Sequence, residues 1–315
     1  MNTNALKGVM DMHLHSHPDI APRKADDIEL AKMASDAGMG GFLLKAHIGS
    51  SVERAYLVQK MFPDIHVFGG IVLNYPIGGL NPHAVEAFVR LGAKEVWMPS
   101  LSAQNMFSYM HAHSTQEDQI AFHKAHGGSS DESSNTALLS SPKPWSKNGH
   151  GISILDEKEK ILPEVNEILE IISAADTILG TGHLSIKETN ALLKAALEKG
   201  AKRLLVTHPE YMAEMSMEDQ LYWRRKGVFF DRCYFFTNQG SKSIGGAKPF
   251  NILVNNIRTV GVDSTVLGTD AGQLKNDFPV EIMKAYLTKL SEAGFTDNEI
   301  EQMAVKTPAA LLNLQ

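Results

Sequence analysis

Short apolar runs alternate along the chain with longer stretches in which apolar residues return every three or four positions. The runs GVMDMHLH (8–15), GFLLKAH (41–47), HVFGGIVLN (66–74), EVWMPS (95–100), TILGTGH (177–183), RLLVTH (203–208), VFFDRCYFF (228–236) and TVLGTD (265–270) read as strands. The stretches after them read as helices: one near 24–37 that stops on Gly38, then SVERAYLVQKMF, PHAVEAFVRLG, SIKETNALLKAALEKG, a segment ending near Gly227, and PVEIMKAYLTKLSEAG. Strand and helix in strict alternation predict an α/β protein with a parallel sheet. About eight such units is the number at which that sheet closes, so the expected fold is a (β/α)8 TIM barrel.

The rhythm breaks once. Between 101 and 152 the chain runs through SYMHAHSTQEDQIAFHKAHGG and then a stretch rich in Ser, Gly, Pro and Asn. An excursion of that length inside a compact domain suggests a lid or substrate-contacting loop. It leaves the C-terminal end of the fourth strand, the face where barrels place their chemistry. The reading is therefore a single barrel domain over 1–315 with an insertion after strand 4. No internal repeat shows beyond the alternation itself.

Composition narrows the function classes. The 315 residues are 43% hydrophobic, the net charge is -6 and the pI is near 6.1. Without a block of Lys or Arg there is no electrostatic footprint for nucleic acid or an anionic membrane. The N-terminus lacks a charged start followed by an apolar core, and no run of apolar residues is long enough to span a bilayer, so the expectation is a cytoplasmic protein. A small-molecule substrate is the expected partner, and a homo-oligomer is possible. The lone Cys233 excludes an internal disulfide and a thiolate cluster, so any metal would be held by histidine and carboxylate.

The candidate chemistry lies at the strand ends. In MDMHLHSHPD, alternation predicts that Asp11, His13 and His15 share one face of the first strand. Neutral imidazoles so placed can hold one ion between them, although His-x-His alone is equally the pattern of hydrogen-bonded polar residues. His183 closes the fifth strand, His208 the sixth and Asp270 the eighth. Five ligand-type residues at one rim, without a cation, would be left unpaired in a buried place. The expected cofactor is thus a divalent metal, zinc foremost, as one ion or two. Asp11 could orient a ligating imidazole or serve only as a structural hydrogen-bonder.

This order of residues, Asp-x-His-x-His on the first strand, His after the fifth, His after the sixth and Asp after the eighth, resembles the amidohydrolase superfamily of metal-dependent hydrolases. MAVKTPAALLNL is similar to a terminal helix that family often carries. The likeness spans nearly the whole barrel and points to a branch of the superfamily rather than to a member with a particular substrate. It implies that His13, His15 and Asp270 hold one metal, and that His183 and His208 hold a second or the substrate side of the first. It also implies that Asp270 serves as catalytic base and then acid. Two-metal members bridge their ions with a lysine or glutamate on the fourth strand, which EVWMPS does not supply: Lys94 and Glu95 lie at its wrong end. Lys45 on the second strand could take that place as a carboxylated lysine, or act uncarboxylated on a substrate anion or on Asp270.

His47 reads as ligand, substrate contact or strand-end polar residue. Arg232 and Tyr234 are expected to face inward toward an anionic substrate; a register slip of one would present Asp231 and Cys233 instead. Tyr109, His111 and His113 form a further His-x-His in the insertion, read as lid or surface residues. The expected activity is hydrolysis of an amide, lactam, lactone or related ester in a small molecule. A phosphoesterase, a decarboxylase and a non-catalytic metal- or ligand-binding barrel are the alternatives.

Overall fold

The computed structural model describes residues 6–125, 145–146, 150–237 and 247–314. The eight predicted strands are present as β1 (Met10–Leu14), β2 (Gly41–Leu44), β3 (His66–Val72), β4 (Glu95–Trp97), β5 (Ile178–Gly180), β6 (Leu204–Thr207), β7 (Phe229–Cys233) and β8 (Thr265–Gly268). All are parallel, in sequential order within one sheet. The last strand returns to the first at the C-terminal rim, where the Asp270 N–H donates to the His13 carbonyl (2.7 Å) and the His15 N–H to the Ala271 carbonyl (2.8 Å). This is the expected (β/α)8 barrel, nearly closed.

The helices that cover it are α1 (Asp27–Asp36), α2 (Val52–Met61), α3 (Pro82–Leu91), α4 (Gln104–His113), α5 (Gln116–Ala125), α6 (Pro163–Ala175), α7 (Ile186–Glu198), α8 (Met217–Arg224), α9 (Phe250–Val260), α10 (Pro279–Glu292), α11 (Asp297–Glu301) and α12 (Thr307–Leu312). Local sequence starts several of them. Asp26 with Glu29 and Ser185 with Glu188 form capping boxes for α1 and α7, each satisfying two backbone donors that the first turn would leave open. The insertion is helical in its first half, α4 and α5; 126–144 and 147–149 lie outside the described residues. His111 and His113, two apart on α4, are both exposed, and the His113 ring stacks on Tyr109 at 4.1 Å. Neighbours at that spacing diverge on a helix, so this second His-x-His forms no pair.

The barrel interior is filled by Met10, Met12, Leu43, Val72, Trp97, Ile178, Leu205 and Val266, with Leu311 and Leu312 of α12 in the same cluster. Arg203 Nη1 and Lys94 Nζ bond the carbonyls of Leu311 (2.7 Å) and Leu312 (3.3 Å) from the N-terminal ends of β6 and β4. This packed lower half leaves the C-terminal half of the interior for polar groups.

The first strand departs from simple alternation. Asp11 pairs with Phe42 and Leu14 with Leu44, so Met12 and His13 together face the single residue Leu43. This β-bulge turns both inward and leaves Asp11 on the opposite side from His13.

Candidate functional site

His13 on β1, His15 just after it, Lys45 just after β2, and Asp270 just after β8 converge at the upper end of the barrel, all buried. His13 Nε2 lies 3.0 Å from Lys45 Nζ and 3.4 Å from Asp270 Oδ1, and His15 Nε2 lies 2.9 Å from Asp270 Oδ1. His208 joins them with its ring 6.0 Å from that of His13, and His183 lies 5.0 Å beyond it. Of the five residues expected to hold a metal, His13, His15 and Asp270 bring ligand atoms within 4.8 Å of one another, and His208 and His183 follow as neighbouring rings. His208 (φ +30°) and Asp270 (φ +48°) both take the left-handed backbone that non-glycine residues rarely adopt, and such strain concentrates at functional sites.

One hydrogen bond fixes the tautomer of His15. His15 Nδ1 lies 2.8 Å from the Lys45 carbonyl, which can only accept, so Nδ1 carries the hydrogen and Nε2 presents a lone pair. That lone pair faces the Asp270 carboxylate at 2.9 Å, acceptor to acceptor. Burial, followed by the positive charge of Arg23, pushes His15 well below the usual imidazole range, so an imidazolium does not relieve the clash. His13 repeats the arrangement: Nδ1 lies 2.7 Å from Asp231 Oδ2, and Nε2 accepts from Lys45 Nζ. Burial, then the Lys45 charge, lowers His13 to about 3. His208 is held at about 3, chiefly by burial.

A divalent cation fits this donor set. Ligand atoms of His13, His15 and Asp270 all lie within 4.8 Å of one another, with Asp270 Oδ1 3.4 Å from His13 Nε2 and 2.9 Å from His15 Nε2; donors about 2.1 Å from one tetrahedral cation sit about 3.4 Å apart. Both ring nitrogens of His208 and Nδ1 of His183 are buried without a hydrogen-bond partner among the described residues, a costly state that a ligand would relieve.

Asp231 proves more central than the sequence reading made it. Asp231 and Cys233 point inward, and Arg232 and Tyr234 point out into the helix layer, which corrects the expectation that the latter pair meets substrate. Arg232 is fully buried against the ring of Phe230, pairing through Nη1 with Glu210 and through Nη2 with Gln220 (2.8 Å). Tyr234 packs on Tyr286 and Phe250. Asp11 hydrogen-bonds no imidazole among the described residues: it accepts from the Thr269 backbone (3.0 Å) and hydroxyl (2.6 Å) and from the His13 backbone (3.1 Å). The bulge removes it from the orienting role and leaves the structural one. Asp231, raised to about 7 mainly by burial, receives the Cys233 thiol at 3.3 Å. Gly268 makes this possible, since a Cβ there would stand 2.6 Å from Asp231 Oδ1 and 2.7 Å from His13 Cβ.

His47 stacks on His15 at 4.5 Å and lies 3.2 Å from the Ser100 hydroxyl. Asn74, unflagged in the sequence, fixes that wall by donating to the His47 carbonyl and accepting from the backbones of Ser100 and Ser102. Above these groups opens a cavity of about 460 Å³, lined at its floor by His15, Lys45, His47, His183 and Asp270.

Solved structures with the same fold extend over the whole chain. An amidohydrolase from Pseudomonas aeruginosa aligns with TM-score 0.60 at 11% identity, over 99% of this chain and 97% of its own. A probable 2-pyrone-4,6-dicarboxylic acid hydrolase from Acinetobacter baumannii, with citric acid bound, aligns with TM-score 0.56 at 11% identity, over 97% and 99%. The phosphotriesterase homology protein from Escherichia coli, with phosphate in its active site, aligns with TM-score 0.52 at 14% identity, over 98% and 99%. No curated protein sequence matches the chain. The sequence model of one family covers residues 8–231, well over half of the chain, which therefore belongs to the family of unknown function DUF6282.

Proposed function

We propose that this chain is a metal-dependent hydrolase that cleaves an amide, lactam, lactone or related ester bond in a small molecule. The observation that carries the reading is the lone pair of His15 Nε2 facing Asp270 Oδ1 at 2.9 Å, with His13 Nε2 beside them. His13, His15 and Asp270 would hold a divalent cation, zinc foremost, with His183 and His208 completing its sphere or holding a second ion. Bound there, the cation would polarise the scissile carbonyl and make an adjacent water more acidic.

The protein's own groups supply the rest. Asp270, at the junction of cavity and donor cluster, accepts the proton of the attacking water and delivers it to the leaving group. Lys45 points its ammonium into the same space as a donor to the oxygen on which charge develops. The amidohydrolase and hydrolase named among the solved structures share this barrel, which supports the reaction class. The test is metal analysis of the purified chain beside a panel of amides, lactams, lactones and esters. About one or two equivalents of divalent metal are expected in the wild type, with metal and turnover both lost in His13→Ala and Asp270→Asn while circular dichroism is retained. Zinc-reconstituted protein that holds no metal would overturn the reading, and metal without turnover across the panel would favour a binding barrel.

A further inference from the structure

The cavity above the donor cluster has two unlike walls. One comes from the loops after β1 and β8, which are stitched together by a bridge between Arg23 and Gln273 and by the Lys24 N–H donating to the Gly272 carbonyl (2.8 Å). This wall carries Arg23, Gln273, Lys275 and Asn276. The other, from the loops after β4, β6 and β7 and from α4 and α5, is apolar, with Met106, Phe122, Met212 and Phe236 among its residues. No acidic side chain other than Asp270 lines the space among the described residues.

The two cations differ in how far they are already neutralised. Arg23 gives Nε and Nη2 to Asp19 at 2.8 and 2.5 Å, and Nη1 bonds no described residue. Lys275 is exposed at the mouth and makes no ion pair among the described residues. A purely apolar ligand would leave this wall unanswered, and a small inorganic anion would leave the apolar wall against water. We infer that the ligand is an amphiphilic carboxylate: an aryl or alkyl body lies against Met106, Phe122 and Phe236, and its acid group meets Lys275 and Arg23. The inference deepens the hydrolase reading, which places the scissile bond over Asp270 between the two ends; binding itself does not require turnover.

Binding is measured by calorimetry on the full chain, chelator-treated and zinc-loaded, with three probes: 4-phenylbutyrate, its neutral counterpart 4-phenylbutanamide, and acetate. The acid with the aromatic body is expected to bind about tenfold more tightly than either of the others. Lys275→Glu is expected to weaken the acid by about fivefold to tenfold and leave the amide unchanged. Met106→Ala is expected to weaken both phenyl probes together and to leave acetate alone. Equal affinity for acid and amide, no binding of any probe, or an acid preference that survives Lys275→Glu and disappears with the zinc would overturn the inference; the last result would assign the carboxylate to the ion. An acid preference that follows Lys275 in protein that retains no zinc would sink only the hydrolase reading.

Discussion

The Asp231 carboxylate lies 2.7 Å from Nδ1 of His13, on the side of the ring opposite Lys45 and Asp270. This contact fixes the tautomer that points a lone pair at the donor cluster, and it holds the ring from β7 while the bulge in β1 turns it inward. Partners of this kind typically account for about 10- to 100-fold in metal affinity. Asp231→Ala is therefore expected to lower zinc affinity by that factor in a competition titration with a chromophoric chelator, with Asp231→Asn falling between it and wild type. An unchanged dissociation constant in both variants would remove Asp231 from the orienting role.

Glu95 sits at the other end of the interior. It is completely buried, and neither carboxylate oxygen makes a well-formed hydrogen bond among the described residues. Burial raises its pKa well above the usual range, reinforced by Asp231 and only partly opposed by Lys45 and the Trp97 indole. For an acid whose folded pKa is raised, the folded state binds the extra proton. Stability is then fully present below the unfolded value near 4.5 and is lost as pH rises toward the folded pKa. Glu95→Gln removes this term, so the melting temperature of the variant should rise relative to wild type as pH increases from 5 to 8. A difference that stays flat across that interval would show that Glu95 does not titrate between the two states.

What the sequence could and could not reveal follows from where each cue resides. His183, His208 and Asp270 were legible because each terminates an apolar run, and in a parallel barrel the end of a run is a place in space. Asp11 was misplaced because alternation assumes a regular pleat, and one extra residue at Met12 and His13 exchanges the faces before and after it. The facing of Arg232 was not decidable from VFFDRCYFF, which carries large apolar residues on both faces. What breaks that tie is Glu210, which follows a different strand and has no periodic relation to Arg232. Arg23 and Lys275 reach the cavity from irregular loops, where no period constrains direction.

Arg232 gives a prediction that separates structural from ligand-contacting cations. It is fully buried, pairs with Glu210 two residues beyond His208, and its carbonyl accepts from the Tyr286 hydroxyl at 3.1 Å. Asn256 donates to the same Glu210 oxygen at 3.0 Å. Breaking a buried pair by removing one partner costs about 3–5 kcal/mol, because the other charge stays behind unpaired. Arg232→Met is expected to lose that much in urea denaturation, and Arg232→Met combined with Glu210→Met to recover part of it. The single variant, where still folded, should keep its preference for carboxylate over amide; loss of that preference without loss of stability would restore Arg232 to the substrate side.

Lys45 decides between one ion and two. Its ammonium lies 3.0 Å from His13 Nε2, the atom that would face a cation, and the Asp270 charge partly offsets the burial that lowers its pKa. If Lys45 acts as a free amine, it competes with the cation for that lone pair and serves the reaction as a donor. Lys45→Met should then leave zinc stoichiometry unchanged, bind zinc at least as tightly as wild type, and lower kcat by about 100-fold or more, the scale at which one positioned donor contributes. If Lys45 is instead carboxylated and bridges, the same substitution removes a ligand from both ions: stoichiometry falls from two to one, and added bicarbonate raises the metal content of the wild type alone. Metal counted per chain in the two proteins distinguishes the two outcomes whatever the substrate turns out to be.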